Sequence, residues 1–584
     1  MYNNKYILIL LLLVGTTMSA LAQRAENVLT AAGSPPNPKV QISWNRYHDE
    51  TALKEIYDKM VKAHPDLVSL QSLGKSYEGR DIWLLTITDK KNGGPHHRKP
   101  AMYIDGGIHA NEIQTSEFAL YTAWYLLEMH ANDNAFVKEL LVDKTFYIAP
   151  SINPDSRDYF FHFGNTQHSS RTGRVPLDND RDGLVDEDDF DDLNGDGHIT
   201  MMRRKSPYGQ FIEDPTDPRR MIRVPAGQKG VYELLGNEGL DNDGDGLVNE
   251  DGVGGYDPNR DWGWSWQPNF IQRGAYKYPF SLPENRAVAD FILSHPNIAA
   301  GQNFHNNGGM ILRPPGGAED EPLLTRQDIS VYDAIGRKGE ELIPGYRYLI
   351  TYKDLYSVYG GQLDWLFFGR GVFAVCNELW MSNMLYNNAN SPSADRQAEQ
   401  YSADKFLLME DAFVPWEPFD HPQYGEIEIG GFKKYYGRNH PGFLLEMDAH
   451  RNAVFTIYHG YETPKLSIDN IEVKDVGNGI KEVTAVIMNE RVIPTHSAHD
   501  VRHKIEVPNI VTLEGGTALS GMIVQNVDFG FTQEQNNSNP AEIQVSTING
   551  HSHVTVRWLV KGGNNYTVTV DSKKGGVVSK STGS

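Results

Sequence analysis

Apolar residues recur along this chain in two rhythms. Ala101-Met-Tyr-Ile-Asp105, Thr145-Phe-Tyr-Ile-Ala149, a run opening on Ile298-Ala-Ala, and Gly371-Val-Phe-Ala-Val-Cys376 are short and nearly continuous. Runs of this kind suit strands buried on both faces. Elsewhere the spacing changes to three and four, as in Leu53, Ile56, Tyr57 and Met60, which ends at His64-Pro65. That spacing predicts an amphipathic helix. Strands alternating with helices predict an α/β sheet flanked by helices on both faces, here over residues 41–463. Sheets of this type carry their chemistry at the carboxyl ends of strands. Beyond residue 463 the runs become β-like and are separated by Gly, Asn and Pro: Val483-Thr-Ala-Val-Ile-Met488, Val554-Thr-Val-Arg-Trp-Leu-Val560 and Tyr566-Thr-Val-Thr-Val570. They predict an all-β sandwich over 464–572, with a disordered tail at 573–584.

At the other end, Lys5, the apolar stretch Ile7 to Val14 and Ala20-Leu-Ala22 have the layout of a secretory signal over residues 1–22. A polar, Pro-rich linker over 23–40 follows. The apolar stretch is too short to span a bilayer, so the chain is expected to be exported, secreted or periplasmic, with no membrane span. A net charge of −22 over 584 residues argues against nucleic acid or an anionic membrane as partner. The single cysteine, Cys376, rules out an intrachain disulfide. Strand alternation puts it on the same face as Glu378, where it is read as a small, buried wall residue.

Candidate chemistry gathers after the predicted strands. His109 and Glu112 follow the first run and its Gly106-Gly107 turn, and His305 follows the third. Two imidazoles and a carboxylate are a ligand set for catalytic zinc that leaves a position open for water. Glu378 lies two residues past Cys376.

These residues, in this order over roughly residues 40 to 460, resemble the zinc carboxypeptidases typified by pancreatic carboxypeptidase A. Leu73-Gly-Lys-Ser-Tyr-Glu-Gly-Arg-Asp-Ile82 looks like that family's opening segment. The resemblance implies a mixed sheet and zinc held by His109, Glu112 and His305. It implies Glu378 as catalytic base on Cys376-Asn-Glu-Leu379. Asn259 and Arg260 of Asp257-Pro-Asn-Arg260 would hold the substrate's free C-terminal carboxylate. Tyr356, ahead of Gly360-Gly361 and Asp364-Trp365, would be the mobile tyrosine that caps the substrate. Met201-Met-Arg-Arg-Lys205 is similar to the segment carrying the oxyanion arginine, which gives that role to Arg203, with Arg204 next in line. Leu312, Gly316, Leu363 and Cys376 would wall the terminal side-chain pocket. None of the four is charged, so an apolar or aromatic C-terminal residue is expected, unless Arg313 points inward. Asn111 stands where the pancreatic enzymes carry an arginine, as in the family's regulatory and bacterial branch.

A repeat lies within this region. Asp178 to Asp188 and Asp241 to Asp251 agree at every position except Arg181/Gly244 and Asp186/Asn249. Acids at alternate positions followed by glycine have the spacing of a calcium loop. The expected calcium ligands are Asp178, Asp180, Asp182, Asp186 and Asp189 in the first loop. Asp192, Asn194 and Asp196 come from a partial third loop, and Asp241, Asp243, Asp245, Asn249 and Asp251 from the second. Calcium there is expected to stiffen the segments leading to Arg203 and to Asn259 and Arg260.

The sequence therefore predicts an exported zinc metallocarboxypeptidase acting on peptides or proteins with a free C-terminus. Two alternatives remain at this level: the same fold acting on peptidoglycan stem peptides, and a catalytically dead, calcium-ordered surface binding protein. His496, His499 and His503 are expected to be surface or loop residues of the β region.

Overall fold

The computed structural model describes residues 31–381 apart from 180 and 182, residues 395–535 and residues 538–582. Along the first part run α1 (Glu50–Ala63), β1 (Val68–Lys75), β2 (Asp81–Ile87), β3 (Ala101–Asp105), α2 (Gln114–Ala131), α3 (Ala135–Asp143), β4 (Thr145–Ala149) and α4 (Pro154–His162). Four short strands follow: β5 (Met201–Lys205), β6 (Phe211–Glu213), β7 (Met221–Arg223) and β8 (Tyr232–Asn237). Then come α5 (Pro283–Ser294), β9 (Ile298–Asn306), β10 (Met310–Arg313), α6 (Arg326–Leu342), β11 (Arg347–Ile350) and β12 (Phe373–Leu379). The region closes with α7 (Arg396–Leu407), β13 (Phe413–His421), β14 (Gly425–Phe432) and α8 (Gly442–Tyr461).

The main sheet has the order β1-β2-β4-β3-β9-β12-β10-β11. It is mixed: β4, β3, β9 and β12 run parallel, while β1, β2 and β10 introduce antiparallel pairings. β3, β4 and β9 are buried at every position, as the apolar runs of β3 and β4 require; β9 also buries Gln302, Asn303, His305 and Asn306. One face packs on α1, α2, α6 and α8 through Leu53, Phe118, Tyr332 and Phe455. The other packs on α5 and two tryptophans through Phe291, Ile292, Trp262 and Trp365. Helix α1 starts where Asp49 accepts the Ala52 N–H and ends at His64, before Pro65.

A second, six-stranded sheet, β13-β14-β5-β8-β6-β7, was not anticipated. It joins residues 201–237 to residues 413–432. Its strands are short and mixed in polarity, and its central pairing crosses a long stretch of chain, so no local pattern announces it.

The C-terminal region is all-β, as expected. Its strands are β15 (Leu466–Gly477), β16 (Ile480–Asn489), β17 (Asn509–Glu514), β18 (Thr517–Asn526), β19 (Phe531–Glu534), β20 (Glu542–Val545), β21 (Ser552–Lys561), β22 (Thr567–Ser572) and β23 (Gly576–Ser581). They form a five-stranded and a four-stranded sheet around Val483, Trp558, Val568 and neighbouring apolar residues. The tail departs from expectation, because Gly576–Ser581 pairs with β22 along its length instead of being disordered. Val577 and Val578 gave too short an apolar signal for an edge strand whose other positions are polar.

The expected signal over 1–22 lies outside the described residues. The end of the 23–40 linker is anchored: the Lys39 and Val40 N–H groups donate to the two Glu128 oxygens at 2.7 and 2.9 Å. No helix among the described residues is long and apolar enough to cross a membrane.

Candidate metal centre and substrate pocket

The register of the main sheet assembles the site. β12 and β9 run parallel with Glu378 opposite His305, and β10 runs antiparallel to β12 with Met310 opposite Glu378 and Leu312 opposite Cys376. Alternation therefore puts Met310, Leu312, Cys376 and Glu378 on one face. Beyond the end of β3, Gly107 has φ +72° and sits 3.4 Å from the Ser151 backbone at its Cβ position, so the turn leading to His109 favours glycine.

His109, Glu112 and His305 are buried, and one ligand atom from each falls within 4.8 Å of the others. His109 Nδ1 is 3.1 Å from Glu112 Oε1 and 3.2 Å from His305 Nδ1, and His305 Nδ1 is 3.4 Å from Glu112 Oε2. Two imidazole nitrogens and a carboxylate converging on one point fit zinc. The other nitrogen of His109, Nε2, lies 2.9 Å from Asp257 Oδ1, the outer carboxylate that orients a metal-binding histidine. Burial opposes ionisation of Glu112, yet His109, His305 and Arg171 hold its carboxyl well below the usual range. Asp257 is likewise held down against burial, by Arg260, His109 and Arg171.

A pocket of about 410 Å³ opens on this cluster. Its wall includes Leu312, Gly316, Leu363 and Cys376, together with Met310, Leu355 and Asp364. Burial pushes the Cys376 thiol well above its ordinary pKa, so it packs as a hydrophobe. Arg313 does not line the pocket; its Nη1 donates to the Pro314 carbonyl. Asp364 is the one charged residue type added to the expected wall. Both its oxygens accept the Gly316 N–H, at 2.8 and 3.0 Å, and burial pushes it up to about 7. Asn259, Arg260, Tyr356 and Glu378 line the same pocket. Asn259 Oδ1 accepts the Gln362 N–H at 2.9 Å, and the buried Arg260 Nε has no hydrogen-bond partner among the described residues. Tyr356 is 49 % exposed. Burial, reinforced by Glu112 and opposed by His305, raises Glu378 to about 7.

Arg203 is elsewhere. It lies in β5 of the second sheet, where its guanidinium pairs with Glu428 at 2.6 Å and Glu213 at 3.1 Å between the rings of Tyr232 and Trp416. Its neighbour Arg204 pairs with Glu233. Neither lines the pocket, so the oxyanion role expected of this segment does not fit its position. The guanidinium beside the metal cluster is that of Arg171, from the loop after α4: Nη1 is 2.7 Å from Glu112 Oε1 and Nη2 3.5 Å from Asp257 Oδ2. Arg438, from the segment before α8, also reaches the pocket, 3.6 Å from Glu112. Sequence reasoning missed both. The available signal was that Arg171 follows the Asn153-Pro154-Asp155 turn closely, ahead of the acidic loops.

The acidic repeats interlock. In each, the first aspartate closes its own turn: Asp178 accepts from Arg181 N and Gly183 N, Asp241 from Gly244 N and Gly246 N. The last aspartate closes the other copy. Asp188 accepts the N–H groups of Asn242 and Asn249, and Asp251 those of Asn179 and Asp186. Asp251 is thus committed to the first loop, contrary to the expectation that it ligates within its own. Asp241, Asp243 and Asp245 do gather within 4.8 Å, while Asp180 and Asp182 lie outside the described residues. Asp189 accepts the Phe190 N–H, and Asp192, Asn194 and Asp196 accept N–H groups within their own turn. Asp186 receives the Leu177 N–H, and Asn249 Nδ2 donates to the Glu238 carbonyl.

Residues 53–400 match the family described as zinc carboxypeptidase, and residues 465–582 match a domain of unknown function. Carboxypeptidase B of Astacus astacus is 26 % identical over 335 residues, covering 56 % of this chain and 82 % of its own. Carboxypeptidase B2 of Rattus norvegicus is 30 % identical over 144 residues, covering 24 % of this chain and a third (33 %) of its own. The crystal structure of carboxypeptidase A from Helicoverpa armigera aligns over 76 % of this chain and 80 % of its own, at 15 % identity and a TM-score of 0.43. With the family match spanning more than half of the sequence, the chain belongs to the zinc carboxypeptidase family and is a peptide hydrolase.

Proposed function

We infer that this protein is an exported metallocarboxypeptidase that releases a single apolar or aromatic residue from the C-terminus of peptides. The observation carrying this reading is the pairing of Glu378 with His305 across β12 and β9, in a pocket that also holds Arg260 and the apolar cluster of Met310, Leu312, Leu363 and Cys376. His109, Glu112 and His305 would hold zinc, which supplies Lewis acidity and an acidified water when bound. Glu378 takes the proton of the attacking water and returns it to the leaving amine. The Arg260 fork, with Asn259 beside it, binds the terminal carboxylate, which confines attack to the last peptide bond. Arg171 faces the charge that develops on the scissile carbonyl oxygen, replacing Arg203 in that role. Tyr356, half exposed on its loop, closes over the bound residue. The terminal side chain enters among Leu312, Leu363 and Cys376, where Asp364 is already engaged by Gly316.

Blocked dipeptides with varied C-terminal residues test this, with an amidated control and the Glu378→Gln variant. Release of Phe or Leu, abolished by amidation and by the substitution, is expected. Faster release of Lys, Arg or Glu overturns the pocket reading, and hydrolysis of the amidated peptide overturns the exopeptidase reading. Export rests on the Lys5 to Ala22 segment, and the expected mature N-terminus is Gln23. N-terminal sequencing of the protein from the medium or periplasm checks it.

Calcium is the second proposed ion, at Asp241, Asp243 and Asp245, whose ligand atoms converge as a cation would require. Added calcium should raise the melting temperature of the zinc-loaded protein. Asp243→Asn with Asp245→Asn should abolish the rise. An equal rise in the variant would remove the site.

A further inference from the structure

Beside the metal pocket lies a larger cleft of about 1460 Å³, more than three times the roughly 410 Å³ that serves the terminal residue. Its far wall is one face of the six-stranded sheet. Met202 on β5 and Ile429 on β14 are paired neighbours and point into that sheet's own core. Alternation turns Met201 to the opposite face, and with Phe211, Met221, Leu234 and Trp416 it lines the cleft. His168 and Arg171 line both the cleft and the metal pocket, so the two spaces are continuous on the side of the cluster that carries Arg171.

The charge of this cleft runs against that of the molecule. The chain carries −22 overall, yet among the described residues the cleft is lined by five arginines, Arg171, Arg174, Arg181, Arg223 and Arg273, against three carboxylates, Asp178, Asp189 and Glu250, and no lysine. Arg171 and Arg174 are engaged by Glu112, Asp257 and Glu78. Arg223 and Arg273 have no carboxylate at ion-pair distance among the described residues; Arg223 donates only to the Gln210 side chain. An exposed guanidinium without a carboxylate, on the rim of a concave surface, attracts an anionic ligand at long range.

We propose that this cleft binds the stretch of substrate upstream of the scissile bond and selects extended peptides rich in acidic residues. The inference rests on the carboxypeptidase reading. A chain whose last residue lies among Leu312, Leu363 and Cys376, with its carboxylate on Arg260, passes Arg171 and His168 as it leaves the cluster and enters the cleft. Its acidic side chains meet Arg223 and Arg273, and its apolar ones meet the methionines and Trp416 of the sheet.

The test compares kcat/KM of the zinc-loaded enzyme on a blocked dipeptide and on octapeptides ending in the same two residues, with Glu, Gln or Lys upstream. Glu octapeptides should exceed Lys octapeptides by about tenfold or more at low ionic strength, and the gap should shrink in high salt. Arg223→Glu combined with Arg273→Glu should narrow or invert that preference, with the dipeptide as the internal reference because it is too short to reach the substituted positions. Equal rates for Glu and Lys octapeptides, or a preference that the double variant leaves intact, would overturn the proposal. Should even the dipeptide resist hydrolysis, the carboxypeptidase reading fails by itself. Fluorescence anisotropy of a labelled Glu octapeptide then decides the cleft separately: binding lost in the double variant supports it, and binding indifferent to peptide charge sinks it.

Discussion

Glu378 and Arg171 bear the sharpest expectations at the scale of single residues. Glu378 must be ionised to accept a proton, so activity falls as pH falls through its pKa. Burial raises that pKa from an ordinary 4.5 to about 7, and a metal cation beside it pulls the value back down. The acid limb of kcat/KM on a blocked dipeptide should therefore lie between those two values, and a flat profile across that range would remove Glu378 as the base. Arg171→Ala should lower kcat by about 10²–10³-fold, the cost of losing one oxyanion donor. Arg203→Ala should leave kcat on the same dipeptide unchanged. It should cost about 1–3 kcal/mol of stability in urea melts, by stranding Glu428 and emptying the space between Tyr232 and Trp416. The reverse pattern would restore the sequence-based assignment. The proposed zinc ligands and Glu378 were legible because short motifs fix them to strand ends. Arg171 was not, because its neighbours do not distinguish it from Arg174, Arg181 or Arg203, and only the fold decides which guanidinium reaches Glu112.

Among elements, the main sheet could be read from its apolar runs, whereas the second sheet could not: three-residue strands such as Phe211–Glu213 and Met221–Arg223 carry too little period. The acidic repeats were legible as a duplication, but their reciprocal closure was not, since it depends on which copy each last aspartate faces. That closure lies next to the site. Residues 175–179 run along residues 251–256, with Val175 N donating to Tyr256 Oη at 2.9 Å and Asn179 Nδ2 to Gly252 O at 2.9 Å. Arg171 precedes one of these segments and Asp257 follows the other. Asp251→Ala should therefore open both loops to limited proteolysis and lower kcat on a short substrate. Cleavage confined to residues 241–251 would show that each loop closes alone.

At the scale of the molecule, the all-β region is fastened to the catalytic one by buried polar contacts. Asp328 on α6 accepts the Ala498 and His499 N–H groups, and Lys574 Nζ reaches the Arg370 and Gly371 carbonyls just ahead of β12. Of the three histidines expected at surface or loop positions, His503 is exposed and His496 lies in a loop, but His496 and His499 are both buried, in this joint or beside it. Lys144 Nζ donates to the Thr463 and Pro464 carbonyls at the crossing between regions, and burial lowers it from 10.5 to about 7. The folded state therefore holds fewer protons than the unfolded chain between those values, and the Lys144 contribution to stability rises as pH climbs from 7 toward 10.5. Lys144→Met should flatten that part of the stability–pH curve, and an unchanged slope would mean that the joint does not sense the charge. The Asp188–Asp251 bridge has a mechanical consequence as well. It is a hasp: the chain from 189 to 250, which carries β5 to β8, departs and returns side by side there, and its far part is fastened again where β5 pairs with β14 and Arg219 meets Asp404. A wall latched at two places keeps its shape when one latch is loosened, so the width of what is gripped should change only when both give way.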